Sequence, residues 1–214
     1  MKITGDRLAG QLHDFVEGYA VEDAVLAAAR GQAGELGVDA VSPACGAMLR
    51  LVAAVGNAKS VVEVGTGTGV SGIWLLRGMR SDGVLTTIDV EPEVQRVARR
   101  MFAEAGFAPS RTRVITGRAL DVLPRLADRA YDLVFVHHEP AEYAAAIAAA
   151  ARLLRQGGLL VLGDALAHGR VADPASRDPE TVVLREAVKS LRTGEEWTAA
   201  VMPIGAGLVC ATRS

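Results

Sequence analysis

The stretch Val61-Val62-Glu63-Val64-Gly65-Thr66-Gly67-Thr68-Gly69-Val70-Ser71 constrains this chain more than any other. An apolar run leads to an acid, then to three glycines at alternate positions, then to an amphipathic segment. It reads as a buried strand, a tight turn and the start of a helix. Glycine has no Cβ and tolerates positive φ, so such a turn lets backbone N–H groups approach a ligand closely. No Gly-Lys-Ser/Thr follows, which excludes a phosphate-gripping P-loop, and the glycines run G-x-G-x-G, not the dinucleotide G-x-G-x-x-G. Glu63 would repel a pyrophosphate and suits a ligand bearing a cationic group; its alternative role is to stabilise the turn by accepting from N–H groups. The turn marks a nucleoside-type cofactor site.

Around it, short β-branched runs alternate with helical patterns. Strands are expected at Val61–Val64, Val84–Val90, Thr112–Thr116, Leu133–His137 and Gly158–Gly163. Helices are expected at Val70–Met79, Glu91–Ala105, Arg118–Leu126, Glu142–Leu154 and Glu180–Leu191. The strands are continuous apolar runs, as in a sheet buried on both faces. Alternation at this spacing gives right-handed βαβ units in a doubly wound, mostly parallel α/β sheet. Trp197–Pro203 and Leu208–Arg213 then flank a short Ile204-Gly205-Ala206-Gly207 loop, and so close the sheet as an antiparallel hairpin, the sixth and seventh strands. Ahead of the sheet the chain reads as helical, with one helix over Val21–Leu36 stopped by Gly37. A second runs through Ala44–Val55 behind Ser42 as N-cap and Pro43 at the first helical position. The 214 residues read as a single domain: a helical segment over 1–58 and a core over 59–214.

Half of the residues are apolar, enough for a sizeable core. A net charge of −2 provides no broad basic field for nucleic acid. No apolar run approaches the ~18–20 residues of a membrane span. The Met1–Asp6 segment lacks the charged-then-apolar order of a signal peptide. Cys45 and Cys210 are far apart in apolar surroundings and read as reduced, buried thiols. A cytoplasmic enzyme is the expectation.

Two further elements belong to the cofactor site. Asp89 ends the second strand, where an acid accepts from ribose hydroxyls, and it follows the glycine turn by the expected ~20 residues. Gly117-Arg118-Ala119 follows the third strand, where backbone groups can read an adenine edge; its alternative is simply the start of a helix.

Together these residues resemble the class I S-adenosylmethionine-dependent methyltransferases, and more narrowly the bacterial O-methyltransferases related to the catechol and caffeoyl-CoA enzymes, in an actinobacterial branch. The resemblance spans about residues 20–213. It runs through Val41-Ser42-Pro43, the glycine turn, Thr87-Ile88-Asp89, Gly117-Arg118-Ala119 and Tyr131-Asp132-Leu133-Val134-Phe135-Val136. It continues through Leu153-Leu154-Arg155-Gln156-Gly157-Gly158 and Pro203-Ile204-Gly205-Ala206-Gly207. It implies a Rossmann-like seven-stranded core and S-adenosylmethionine as cofactor. By position it implies that Val41, Glu63, Gly65, Thr66, Gly67 and Ser71 serve the methionine side. Asp89 takes the ribose, Val90 and Ala119 the adenine, and His137 lies beside the methyl sulfonium. It further implies a small hydroxylated acceptor and a homodimer.

The chain also departs from that family. The resemblance implies oxygen ligands for Mg²⁺ at the ends of the fourth and fifth strands and a Lys base shortly after the fourth. Here the fourth strand runs into Val136-His137-His138-Glu139-Pro140, with His137 at the metal-binding Asp position and Pro140 at the Lys position. The fifth ends Gly163-Asp164-Ala165, with Ala165 in place of Asn. Imidazole is a poor partner for Mg²⁺. Three readings follow. His137 is a general base and no metal is needed; or His137 and Asp164, with Glu139 or His168, hold a transition metal; or the chain is a catalytically inactive module that binds S-adenosylmethionine or S-adenosylhomocysteine. An NAD-dependent reductase is disfavoured by the glycine spacing, Glu63 and the hairpin. His138 and His168 are expected as exposed loop residues. The loop Gly169–Pro179 is placed to cover the acceptor pocket, with Arg170 and Arg177 available to attract an acidic acceptor or else simply solvated.

Overall fold

The computed structural model describes residues 2–214, the first eight of these through their backbone alone. Three helices lead: α1 (Lys2–Tyr19), α2 (Ala24–Leu36) and α3 (Pro43–Val55). Asp23 caps α2 by accepting from the Leu26 N–H, and Gly37 ends it in the left-handed conformation at φ 66°. Ser42 caps α3, with Pro43 in its first turn. Then come β1 (Ser60–Val64), α4 (Val70–Gly78), β2 (Val84–Asp89), α5 (Pro92–Glu104), β3 (Thr112–Thr116), α6 (Ala119–Val122) and β4 (Tyr131–Val136). The chain ends with α7 (Tyr143–Leu153), β5 (Leu154–Leu162), α8 (Pro179–Thr193), β6 (Trp197–Met202) and β7 (Leu208–Arg213).

The strands form one seven-stranded sheet in the order β3-β2-β1-β4-β5-β7-β6. All neighbouring pairs from β3 to β5 are parallel, and β7 runs antiparallel to both β5 and β6. Alternate residues of each strand serve opposite layers. Val62, Val64, Val134, Val136, Leu160 and Leu162 pack under α7 and α8. Val61, Leu85, Leu133, Phe135 and Val161 pack under α2, α3, α4 and α5. A sheet buried on both faces needs apolar residues at every position, which is why its strands read as continuous runs.

The helix expected over Val21–Leu36 begins only at Ala24, behind its Asp23 cap, and two other expected elements also differ in extent. The helix expected over Arg118–Leu126 is α-helical only through Val122 and tightens to a 3-10 turn over Leu123–Arg125. Leu123 keeps helical dihedrals, but Pro124 has no N–H to donate to the Leu120 carbonyl, so the α-helical ladder stops there. The fifth strand begins at Leu154, not Gly158. Leu154 pairs with Tyr131, and the register shifts before Leu133 meets Leu159. Gly157, at φ 71°, accommodates that irregularity.

The strand order reverses between β1 and β4, so the crevice beyond their C-terminal ends is the expected ligand position in such a sheet. The ends of β1, β2, β4 and β5 deliver Gly65, Asp89, His137 and Asp164 to it. The closing hairpin contributes from below: Gly207 and Ala206 accept at their carbonyl oxygens from the N–H groups of Ala165 (2.9 Å) and Leu166 (3.2 Å). No helix among the described residues is long and apolar enough to cross a membrane.

Candidate functional site

A cavity of about 790 Å³ lies over the C-terminal ends of the strands. Of the residues expected for the cofactor, Val41, Gly65, Thr66, Gly67, Ser71, Asp89, Val90 and His137 line it. Gly65 sits at φ 94°, and a Cβ there would lie 2.0 Å from the His137 carbonyl oxygen. Only glycine lets β1 turn this close to the end of β4.

Asp89 is tied into the turn. Its Oδ2 accepts from the Gly67 N–H at 3.0 Å and its Oδ1 from the Glu91 N–H at 3.1 Å. Each carboxylate oxygen retains a lone pair for a ligand hydroxyl. Val90 and Val94 provide apolar wall beside it.

Glu63 and Ala119 do not line the cavity. Ala119 is buried in the layer under α7. Glu63 is fully buried, its Oε1 accepting from the Ser71 hydroxyl and its Oε2 from the Thr87 hydroxyl, both at 2.6 Å. Thr87 and Thr66 hydroxyls lie 2.8 Å apart, and the Gln95 amide donates to Thr66 (3.2 Å) and to the Ile115 carbonyl (2.9 Å). Glu63 thus reaches the cavity through Ser71 and Thr66. Burial pushes its carboxyl up to about 7, against the hydrogen bonds from Ser71 and Thr87. Neither of its oxygens accepts from an N–H of the glycine turn; the two hydroxyls take that place.

His137 and Asp164, at the ends of β4 and β5, also line the cavity. The His137 N–H donates to the Val64 carbonyl, and its ring lies parallel to Phe135 with centroids 6.0 Å apart. His137 Nε2 lies 2.8 Å from Asp164 Oδ2. Asp164 takes a positive φ of 47°. Burial opposes ionisation of its carboxyl, but the hydrogen bond and charge of His137, with His168 adding to them, hold it below the usual carboxylate value. Tyr143 donates to the Gly163 carbonyl at 2.7 Å and fixes the end of β5.

Several wall residues carried no sequence signal. Val38, Asp39 and Ala40 come from the α2–α3 connection, and Glu180 and Val183 from the start of α8, whereas Pro179 ends the loop expected to cover the pocket and alone of that loop lines it. His138 lines the cavity, half-buried, with Nε2 3.7 Å from Glu142, rather than standing in an exposed loop; His168 is exposed as expected. Arg170 and Arg177 are not among the lining residues. Arg170 pairs with Glu180 at 3.3 Å, and Arg177 borders a separate shallow pocket beside Arg185. The acidic-acceptor expectation loses its cations.

The family model for O-methyltransferases matches residues 23–214. The chain belongs to the O-methyltransferase family. A probable O-methyltransferase of Mycobacterium tuberculosis is 52% identical over 197 residues, covering 92% of this chain and 88% of that one. A Corynebacterium glutamicum protein of known structure is 38% identical with a TM-score of 0.89, covering 97% of each chain. The O-methyltransferase TomG of Streptomyces achromogenes, solved with S-adenosylmethionine, is 31% identical with a TM-score of 0.83, covering 91% and 92%. The Rossmann-like class I methyltransferase fold is thereby shown.

The donor set at the ends of β4 and β5 does not fit the divalent metal that the family resemblance implies. His137 supplies a nitrogen, Asp164 is engaged with it, and Ala165 supplies only a buried methyl. Among the described residues no three His, Cys, Asp or Glu side chains are grouped to hold a metal ion.

Proposed function

We propose that this protein is an S-adenosylmethionine-dependent methyltransferase that methylates an oxygen of a small hydroxylated molecule without a divalent metal. The observation that carries the reading is the His137–Asp164 pair, 2.8 Å apart, lining the same cavity as the glycine turn and Asp89. When bound, S-adenosylmethionine supplies an electrophilic methyl group. Asp89 holds the ribose hydroxyls, the Gly65–Gly67 backbone and Ser71 take the methionine end, and Val90 packs on the adenine. His137 is the general base: it accepts the acceptor's hydroxyl proton as the oxygen attacks the methyl carbon. Because the displacement is in line, placing the two partners does much of the work.

His137→Gln tests this. Cofactor affinity by calorimetry should stay within about threefold, while turnover falls about 100-fold or more, the usual share of general-base catalysis. Turnover equal to the parent overturns the base role. Cofactor binding without transfer to any hydroxylated aromatic supports instead the inactive binding module.

We infer in addition that the protein is a homodimer, supported by an exposed apolar face on α1 formed by Leu12, Phe15 and Tyr19. A cytoplasmic location is supported by two free cysteines, Cys45 and Cys210, suited to a reducing compartment.

A further inference from the structure

The place where the family resemblance puts a metal holds a built imidazole–carboxylate pair. Its two side chains come from the ends of β4 and β5, and each is fixed separately. The His137 backbone is anchored to β1 through Val64, and its ring lies against Phe135. Gly163 must be glycine for the ring to sit there, since a Cβ would come within 2.8 Å of His137 Cδ2. Asp164 is held in its left-handed conformation by the following residue, Ala165, whose N–H is bonded to the Gly207 carbonyl of the hairpin. A left-handed conformation at a non-glycine residue is sparsely populated and persists where the surroundings impose it. Here it places the carboxylate on the imidazole.

A carboxylate only accepts, so the hydrogen on Nε2 must be the one shared with Asp164. That leaves Nδ1 as the lone pair of the neutral ring. No described residue hydrogen-bonds Nδ1, and the side chain, 14% exposed against 45% for Asp164, lines the cavity.

Resting on the methyltransferase reading above, we propose that Asp164 is a positioning residue that fixes His137 as the Nε2–H tautomer, so that one isolated phenolic hydroxyl suffices in the acceptor. A metal grips two adjacent oxygens and acidifies one; a single imidazole lone pair serves one hydroxyl and has no place for a second. A phenol, with a pKa of about 10, is within reach of an imidazole base, whereas an aliphatic alcohol is far less acidic. In the transfer, an oxygen lone pair forms the new O–CH₃ bond. The C–S bond breaks with its pair remaining on sulfur, and the hydroxyl proton goes to His137 Nδ1 and thence to solvent. Charge balances, since the sulfonium is neutralised as the imidazolium forms.

Two measurements test it. Long-range ¹H–¹⁵N NMR of the full chain should show neutral His137 protonated at Nε2, and Asp164→Asn should weaken that preference; an Nδ1–H tautomer in the parent overturns the proposal. Transfer is then assayed on a panel of monohydroxylated aromatics and their vicinal-diol counterparts, in EDTA and in excess Mg²⁺. Methylation of monohydroxylated members in EDTA supports the proposal, with Asp164→Asn lowering kcat about 100-fold while KM for S-adenosylmethionine stays within about threefold. Transfer confined to diols and dependent on Mg²⁺ overturns it and leaves the methyltransferase reading standing. Cofactor binding with no transfer to any member overturns both.

Discussion

Glu63 shows how a residue can serve a site without touching it. In the chain it stands next to the glycines, and local reasoning aims it at the ligand. In the fold, hydroxyls eight and twenty-four residues further on, Ser71 and Thr87, turn it inward. That capture depends on β2 lying beside β1 in the register that pairs Glu63 with Thr87, which no local pattern encodes. Asp89, by contrast, was legible, because a strand end and a distance from the glycine turn suffice to place it. The burial of Glu63 has a measurable consequence. Its carboxyl rises from 4.5 to about 7 on folding, so the folded protein holds this proton more tightly than the unfolded chain. The stabilisation is complete below about 4.5 and is lost as pH rises through about 7. At ~1.4 kcal/mol per unit it amounts to at most roughly 3 kcal/mol. Glu63→Gln removes this dependence, because the Ser71 and Thr87 hydroxyls can rotate to suit an amide. Denaturant unfolding at about pH 5 and about pH 8 should show the parent losing stability relative to Glu63→Gln; parallel profiles would contradict a buried, proton-holding Glu63.

Among the elements, the sheet was readable because runs buried on both faces leave their signature strand by strand. Part of the cavity wall was not, since Val38, Asp39 and Ala40, with Glu180 and Val183 of α8, reach it only through packing. Helix α3 illustrates the difference. Its own cap, Ser42 ahead of Pro43, is written locally. A second cap is not: Glu17, on α1, accepts from the Ser42 hydroxyl at 2.8 Å and from the Ala44 N–H at 3.0 Å. One carboxylate both satisfies a free helix N–H and fastens α1 to the residue that follows Val41 in the cavity wall. Glu17→Ala should cost about 1 kcal/mol in denaturant unfolding, the usual worth of a helix cap. It should also speed proteolysis within α1, as that helix loses its polar anchor. Unchanged protease sensitivity would mean that apolar packing alone holds α1.

Across the whole molecule, α1 connects the site to the surface. Its Glu17 side faces α3, while Leu12, Phe15 and Tyr19 recur at helical spacing and are 64, 69 and 81% exposed. Phe15 and Tyr19 rings lie 6.4 Å apart, so the face is already an organised aromatic surface. Val21, just beyond α1, is also exposed, as are Leu51 and Val55 on α3. Scattered exposed apolar residues are ordinary, but an aromatic pair and a leucine on one helix face are the pattern of a surface that another chain covers. With a net charge of only −2, repulsion between copies is weak. Sedimentation at micromolar concentration should give twice the chain mass. Phe15→Asp with Tyr19→Asp should give a monomer that still binds S-adenosylmethionine, since neither residue lines the cavity. A monomeric parent would remove α1 from the assembly and leave its apolar face to a different partner.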